Sequence, residues 1–226
     1  MTQTLLERQA LGLDDTHLVE YDDRVKVHRQ LLAPLLDLSG RLQNTGCQLA
    51  VASGYRSFDQ QLTIFNAKAT GERPILDDKG RPVEINGLSD REVLFAILRF
   101  SALPGASRHH WGTDIDVFDP AALPTGYRLQ LVPSEYASDG IFHALCEALP
   151  NAIAPAGFVR PYQHDLGGIA PEPWHLSCAA IAQPYAEVLS KDILRQQLAQ
   201  TDIKLKHAIL DNIDSIYRRF IAVGEC

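Results

Sequence analysis

The sequence contains no apolar run near the roughly 20 residues of a membrane span. It also has no internal repeat and no low-complexity tract. It lacks an excess of positive charge: 21 Lys+Arg stand against 28 Asp+Glu, a net charge of −7. That balance argues against a basic face able to track phosphates, and nucleic acid is not the expected partner. Cysteine is scarce and scattered, at Cys47, Cys146, Cys178 and Cys226. No C-x-x-C pair exists, so no zinc-finger spacing is present. These four read as reduced, mostly buried thiols of a cytosolic protein. The first ten residues are polar and amphipathic, without the apolar segment of a signal peptide. The expectation is a cytoplasmic protein with no membrane partner.

The 226 residues present suit one compact domain with an appended helical piece, residues 1–183 and 184–226. Val27, Leu31, Leu35, Leu38 and Leu42 fall at helical spacing and predict a helix over 24–45, kinked at Pro34. Residues 48–53 alternate apolar and polar as a strand does. Ser57 reads as the N-cap of a helix running to Lys68, and Ser89 with Glu92 as a capping box before the apolar run 93–100. Between them, 71–87 is rich in Gly, Pro and Asp and reads as a surface hairpin. Residues 113–118 alternate as a strand, with 129–132, 157–159 and 174–177 as shorter candidates. A helix is expected over 140–149, and helices over 184–223 with a break near Thr201. The fold class is α+β: helices flanking a small, mainly antiparallel sheet, with a helical C-terminal tail.

Three segments concentrate the chemistry: Ser107 to Asp116, Glu172 to His175, and Ser53 to Ser57 with Gln61 following. A catalytic zinc takes three protein ligands from His, Asp and Glu and keeps one position open. His109, Asp116 and His175 supply two imidazoles and a carboxylate. His109 and Asp116 are seven apart, so an unbroken strand would point them to opposite faces. A turn at Trp111-Gly112 is therefore required. Glu172, three residues before His175 and restrained by Pro173, is the free carboxylate that a metal-assisted hydrolase needs as general base. Arg56, between a strand and a helix, can stabilise an oxyanion or clamp a carboxylate.

These segments resemble the VanY/VanX-type D-alanyl-D-alanine carboxypeptidases and dipeptidases, a group of zinc peptidases that includes the hedgehog signalling domain and some phage endolysins. The S-x-H-x-x-G-x-A-x-D pattern matches Ser107, His109, Gly112 and Asp116. E-x-W-H matches Glu172, Trp174 and His175, and S-G-Y-R-S…Q matches Ser53 to Ser57 and Gln61. The resemblance covers about 48–177. It implies one Zn2+ held by His109, Asp116 and His175, with Glu172 as base and Arg56 polarising the scissile carbonyl. Ser107 and Gln61 would bind substrate, with Trp174 as a pocket wall. Asp114 departs from the pattern, standing where a small residue is usual. If 113–118 is a strand, Asp114 faces the same way as Asp116, as a partner behind the ligands or a rival to them.

The activity so implied is hydrolysis of the terminal D-alanine of peptidoglycan stem peptides. In the cytoplasm that points to an L,D-carboxypeptidase acting on recycled tetrapeptides. D,D-cleavage of a pentapeptide or dipeptide, a phage-type endopeptidase, and a zinc-stabilised binding domain without turnover are the alternatives. Oligomeric state is not indicated. His17, His28, His143 and His207 read as ordinary histidines, and Cys178 as packing. His110 and His164 stand close enough to the motifs to be secondary candidates.

Overall fold

The computed structural model describes residues 3–222. Cys226 and the end of the expected tail at Val223 lie outside the described residues. Helix α1 (Leu5–Ala10) starts at a capping box between Thr4 and Glu7. A hairpin follows, β1 (Leu18–Glu20) paired antiparallel with β2 (Lys26–His28). A short 3-10 turn leads into α2 (Leu32–Gln43). The helix expected from residue 24 thus begins only at Leu32, because Val27 is a strand residue. Pro34 does not kink it: it occupies the first turn, where its missing N–H has no intrahelical partner to lose.

Strand β3 (Ala50–Ser53) leads to α3 (Phe58–Ala69), whose N-cap Ser57 forms a capping box with Gln60. Residues 71–87 close on themselves through a bridge between Leu76 and Pro82. Helix α4 (Asp90–Leu98) starts at the Ser89–Glu92 capping box. A 3-10 turn over Arg108–Trp111 precedes β4 (Asp114–Phe118). Residues 129–132 do not form a strand; Leu131 adopts φ of 55°, which a ladder cannot accommodate. Helix α5 (His143–Ile153), β5 (Phe158–Val159) and β6 (His175–Cys178) complete the α+β body.

The tail comprises α6 (Ala179–Val188), α7 (Lys191–Gln200), α8 (Lys206–Asp211) and α9 (Ile213–Ile216), continued by a π-helical turn over Tyr217–Ile221. Its first helix starts five residues before Pro184, which lies inside it and forfeits one ladder bond. No described helix is long and apolar enough to cross a membrane.

The four-stranded sheet has the order β3-β4-β6-β5, with all pairs antiparallel. Its alternation decides everything about the site. Ile115 and Val117 of β4, with Leu176 and Cys178 of β6, enter one buried cluster with Leu35, Leu38 and Leu42 of α2 and Leu145 and Leu149 of α5. Asp114, Asp116, His175 and Ser177 take the opposite face. A second cluster joins Phe65 of α3 and Leu94 and Ile97 of α4 to Leu194, Leu198, Ile209 and Ile216 of the tail. The tail helices therefore share a core with the helices beside the site.

Candidate metal centre

Pairing register brings the three sequence segments together. On β4, Asp116 stands opposite Ser53 on one side and His175 on the other. His109 arrives from the 3-10 turn before β4. Gly112, with φ of 68°, reverses the chain between them. A Cβ there would lie 2.5 Å from Leu18 Cδ2 and 2.8 Å from the His28 backbone nitrogen, so the β1–β2 hairpin packs where only glycine fits. The odd seven-residue spacing is absorbed at that turn.

Asp116 Oδ2 lies 3.4 Å from His109 Nε2 and Asp116 Oδ1 lies 3.1 Å from His175 Nδ1. All three residues are buried, and one donor atom from each lies within 4.8 Å of the others. Donors around a tetrahedral zinc with bonds of about 2.0–2.1 Å stand about 3.4 Å apart. The donor set and its spacing fit such an ion.

Each imidazole has its far nitrogen engaged. His109 Nδ1 is 2.9 Å from the Gly54 carbonyl, so it carries the proton and Nε2 is left as the donor atom for a metal. His175 Nε2 is 3.0 Å from Asp114 Oδ1, so Nδ1 is left for the metal. Asp114 is fully buried and accepts from Arg108 Nε at 2.6 Å, Thr113 Oγ1 at 2.7 Å and Ser177 Oγ at 3.0 Å. The shared face expected for Asp114 and Asp116 is present, but Asp114 lies behind His175 and outside the three-residue cluster.

Electrostatics follow the contacts. Burial alone would depress the His175 pKa, but the hydrogen bonds its ring donates to Asp114 and Asp116, with the charges of those carboxylates, outweigh it and raise it to about 10. Burial pushes Asp116 up, yet His109 and His175 together hold it well below the usual carboxylate range. Glu172 Oε2 is 3.5 Å from His175 Nδ1. Burial raises the Glu172 pKa to about 7, with His175 and Arg56 opposing and Asp116 adding to the rise. A carboxyl poised near neutrality can both take and return a proton.

These groups open on a cavity of about 260 Å³ that includes Arg56, Ser107, His109, Asp116, Glu172 and Trp174 in its walls. Gln61 is placed differently from a substrate ligand. It is fully buried, its Nε2 donates to the Ala102 carbonyl at 2.7 Å, and its Oε1 accepts from Arg56 Nη1 at 2.8 Å. It braces Arg56 because both ends of its amide are taken within the protein. His110 is likewise structural: Gly105 N–H donates to its Nε2, and its Nδ1–H donates to the Arg56 carbonyl at 2.6 Å. His164 is exposed, and Cys178 is buried in the core behind the sheet.

Sequence reasoning missed four titratable wall residues. Arg108 sits inside the Ser107–Asp116 motif and was readable as a partner for the extra acid. Tyr162, whose ring lies 4.8 Å from that of His175, comes from a loop without any local signal. Lys68 and Arg73 reach the cavity from the end of α3 and the segment after it.

Comparison with known proteins converges on one group. The sequence model of the family described as VanY, D-alanyl-D-alanine carboxypeptidase, matches residues 24–181. Over 121 residues the chain is 34% identical to an uncharacterised protein of Haemophilus influenzae, spanning 53% of this chain and 92% of that one. Two solved structures share the fold. The vancomycin resistance D,D-pentapeptidase VanY of the VanB-type cassette, in complex with Zn(II), has a TM-score of 0.52 at 18% identity and covers 87% of this chain and 92% of its own. The LdcB LD-carboxypeptidase has a TM-score of 0.51 at 20% identity, covering 86% and 77%.

Proposed function

Because the chain belongs to the VanY family of D-alanyl-D-alanine carboxypeptidases, we propose that it is a zinc carboxypeptidase that removes the terminal D-alanine of peptidoglycan stem peptides. The observation that carries this reading is the Asp116 carboxylate, 3.1 Å from His175 Nδ1 and 3.4 Å from His109 Nε2, with the half-buried Glu172 carboxylate 3.5 Å from His175 Nδ1. His109, Asp116 and His175 would hold the zinc. Bound there, zinc supplies a Lewis acid and brings the pKa of a water to about 7.

The chain's own residues do the rest. Glu172 takes the proton of the attacking water and hands it to the departing amine. Arg56, held by Gln61 and by Ser53 Oγ at 3.4 Å, donates to the carbonyl oxygen as it gains charge. Ser107 and Trp174, on the cavity wall, contact the peptide.

The preferred reaction is L,D-cleavage of tetrapeptides in cytoplasmic murein recycling. Free Cys47, Cys146 and Cys178 suit a reducing compartment. The test is incubation of the zinc-loaded protein with stem tetrapeptide and pentapeptide, with products identified by mass spectrometry. D-Alanine released from the tetrapeptide supports the L,D reading. Release from the pentapeptide alone would replace it with D,D-cleavage, and release from neither would end the carboxypeptidase reading.

A further inference from the structure

The cavity carries more positive charge than the proposed hydrolysis uses. Its walls hold Arg56, Lys68, Arg73 and Arg108 against the two carboxylates of Asp116 and Glu172. Arg108 is matched by Asp114 at 2.6 Å. Arg56 is braced by Gln61 and feels the charges of Asp116 and Glu172. Lys68 and Arg73 are left over: among the described residues neither is ion-paired, although the protein as a whole is acidic.

Their placement is built. Gln61, Ile64 and Lys68 follow one another at helical spacing along the face of α3 that meets the site. Gln61 braces Arg56 at one end, Ile64 lines the cavity, and Lys68 stands two turns further on. Lys68 Nζ donates to Ser101 Oγ at 2.6 Å, which ties α3 to the same segment whose Ala102 carbonyl holds Gln61. Arg73 is fixed at its backbone, where its N–H donates to the Ala67 carbonyl at 2.9 Å. Burial first, and then the like charges of Arg73 and Arg56, push the Lys68 ammonium down to about 8. Holding the half-buried Lys68 ammonium near the like charge of the exposed Arg73, with no counter-ion, is unfavourable until an anion joins them.

We propose that Lys68 and Arg73 form the subsite for the free terminal carboxylate of the substrate, and that this pair restricts the chain to removing a terminal residue. The inference rests on the carboxypeptidase reading above and adds to it the side chains that distinguish a chain end from an internal bond. An ammonium and a guanidinium recognise a carboxylate through charge-assisted hydrogen bonds. An internal peptide or a terminal amide leaves both cations, the half-buried Lys68 and the exposed Arg73, without a matching charge.

The test compares a stem tetrapeptide ending in D-alanine with the same peptide as its C-terminal amide, using the zinc-loaded full chain. The wild-type protein should favour the acid by roughly 10- to 100-fold in kcat/KM, the loss expected for an unmatched charged hydrogen bond. Lys68→Met with Arg73→Gln should bring the two peptides to within about threefold of each other, chiefly through the KM of the acid, with zinc content retained. Lys68→Arg should keep most of the preference. Arg73→Gln alone, at an exposed position, gives a partial loss that does not depend on the double variant folding. An acid-to-amide ratio unchanged in the double variant overturns the subsite and leaves the carboxypeptidase reading intact. If the wild-type protein cleaves neither peptide, that reading fails, and calorimetric titration with D-alanine and D-alaninamide decides the subsite. Tighter binding of D-alanine that both substitutions abolish upholds it, and equal binding of the two overturns it.

Discussion

Asp114 Oδ1 lies 3.0 Å from His175 Nε2, and this contact decides which imidazole nitrogen faces Asp116. A carboxylate only accepts, so the proton stays on Nε2 and Nδ1 is free for a metal. Asp114 is itself fixed by Arg108, whose Nη2 donates to Ser177 Oγ at 2.7 Å and whose guanidinium lies 4.7 Å from the Trp111 ring centre. Asp114→Asn keeps an acceptor but loses the charge, and should weaken zinc binding about tenfold by chelator competition. Asp114→Ala also strands Arg108, and should cost about 3 kcal/mol of stability in denaturant unfolding. Unchanged zinc affinity in both variants would remove Asp114 from any part in the metal site.

His175 gives the metal-free protein a pH dependence. Its folded pKa is raised to about 10 from an ordinary 6.5. The stabilisation from its charged form is fully present below 6.5 and is lost as pH rises through 10. The thermal midpoint of the metal-free protein should therefore fall between pH 7 and 10. Zinc must displace the same proton from Nδ1. Binding at pH 8 should release roughly one proton, and affinity should rise about tenfold per pH unit between pH 7 and 9. Calorimetry in two buffers of different ionisation enthalpy measures the release. A value of zero would show that His175 is already neutral.

The parts of this site that were legible in the sequence are those carried by short local patterns. Ser57 and Ser89 announce their helices through capping boxes, and the alternation of 113–118 announces β4. The spacing of His109 and Asp116 demanded a reversal, and Gly112 supplies it. What was not legible depends on chain segments meeting at a distance. The β1–β2 hairpin has three-residue strands, too short to show alternation, and Val27 fits the heptad-like run of Leu31 to Leu42 equally well. Gln61 reads as a substrate ligand from its motif, and only the packing of α3 against residues 101–102 turns it toward Arg56. Lys68 and Arg73 read as ordinary surface charges until α3 is placed beside the sheet.

The reversal at Gly112 is open to a direct challenge. Gly112→Ala forces a side chain into a left-handed backbone position and against the backbone of His28. It should cost at least about 2 kcal/mol in unfolding experiments. Because the turn sets His109 relative to Asp116, zinc affinity should fall with it. The contrasting control is Gly80→Ala, also at positive φ but with open space around its Cβ. That variant should lose about 1 kcal/mol and bind zinc normally. Equal effects from the two would show that the hairpin contact does not matter.

The central claim is that one half-buried carboxylate, Glu172, works as a base beside two imidazoles and a second carboxylate that hold a metal. Glu172→Gln separates those roles, since Glu172 stands 3.5 Å from His175 and lies outside the His109, Asp116 and His175 cluster. Zinc content and D-alanine release should be measured together on wild-type and Glu172→Gln protein. The account predicts one zinc per chain in both, with kcat lowered by roughly 100-fold or more in the variant. Release of D-alanine at the wild-type rate from the Glu172→Gln protein would contradict it.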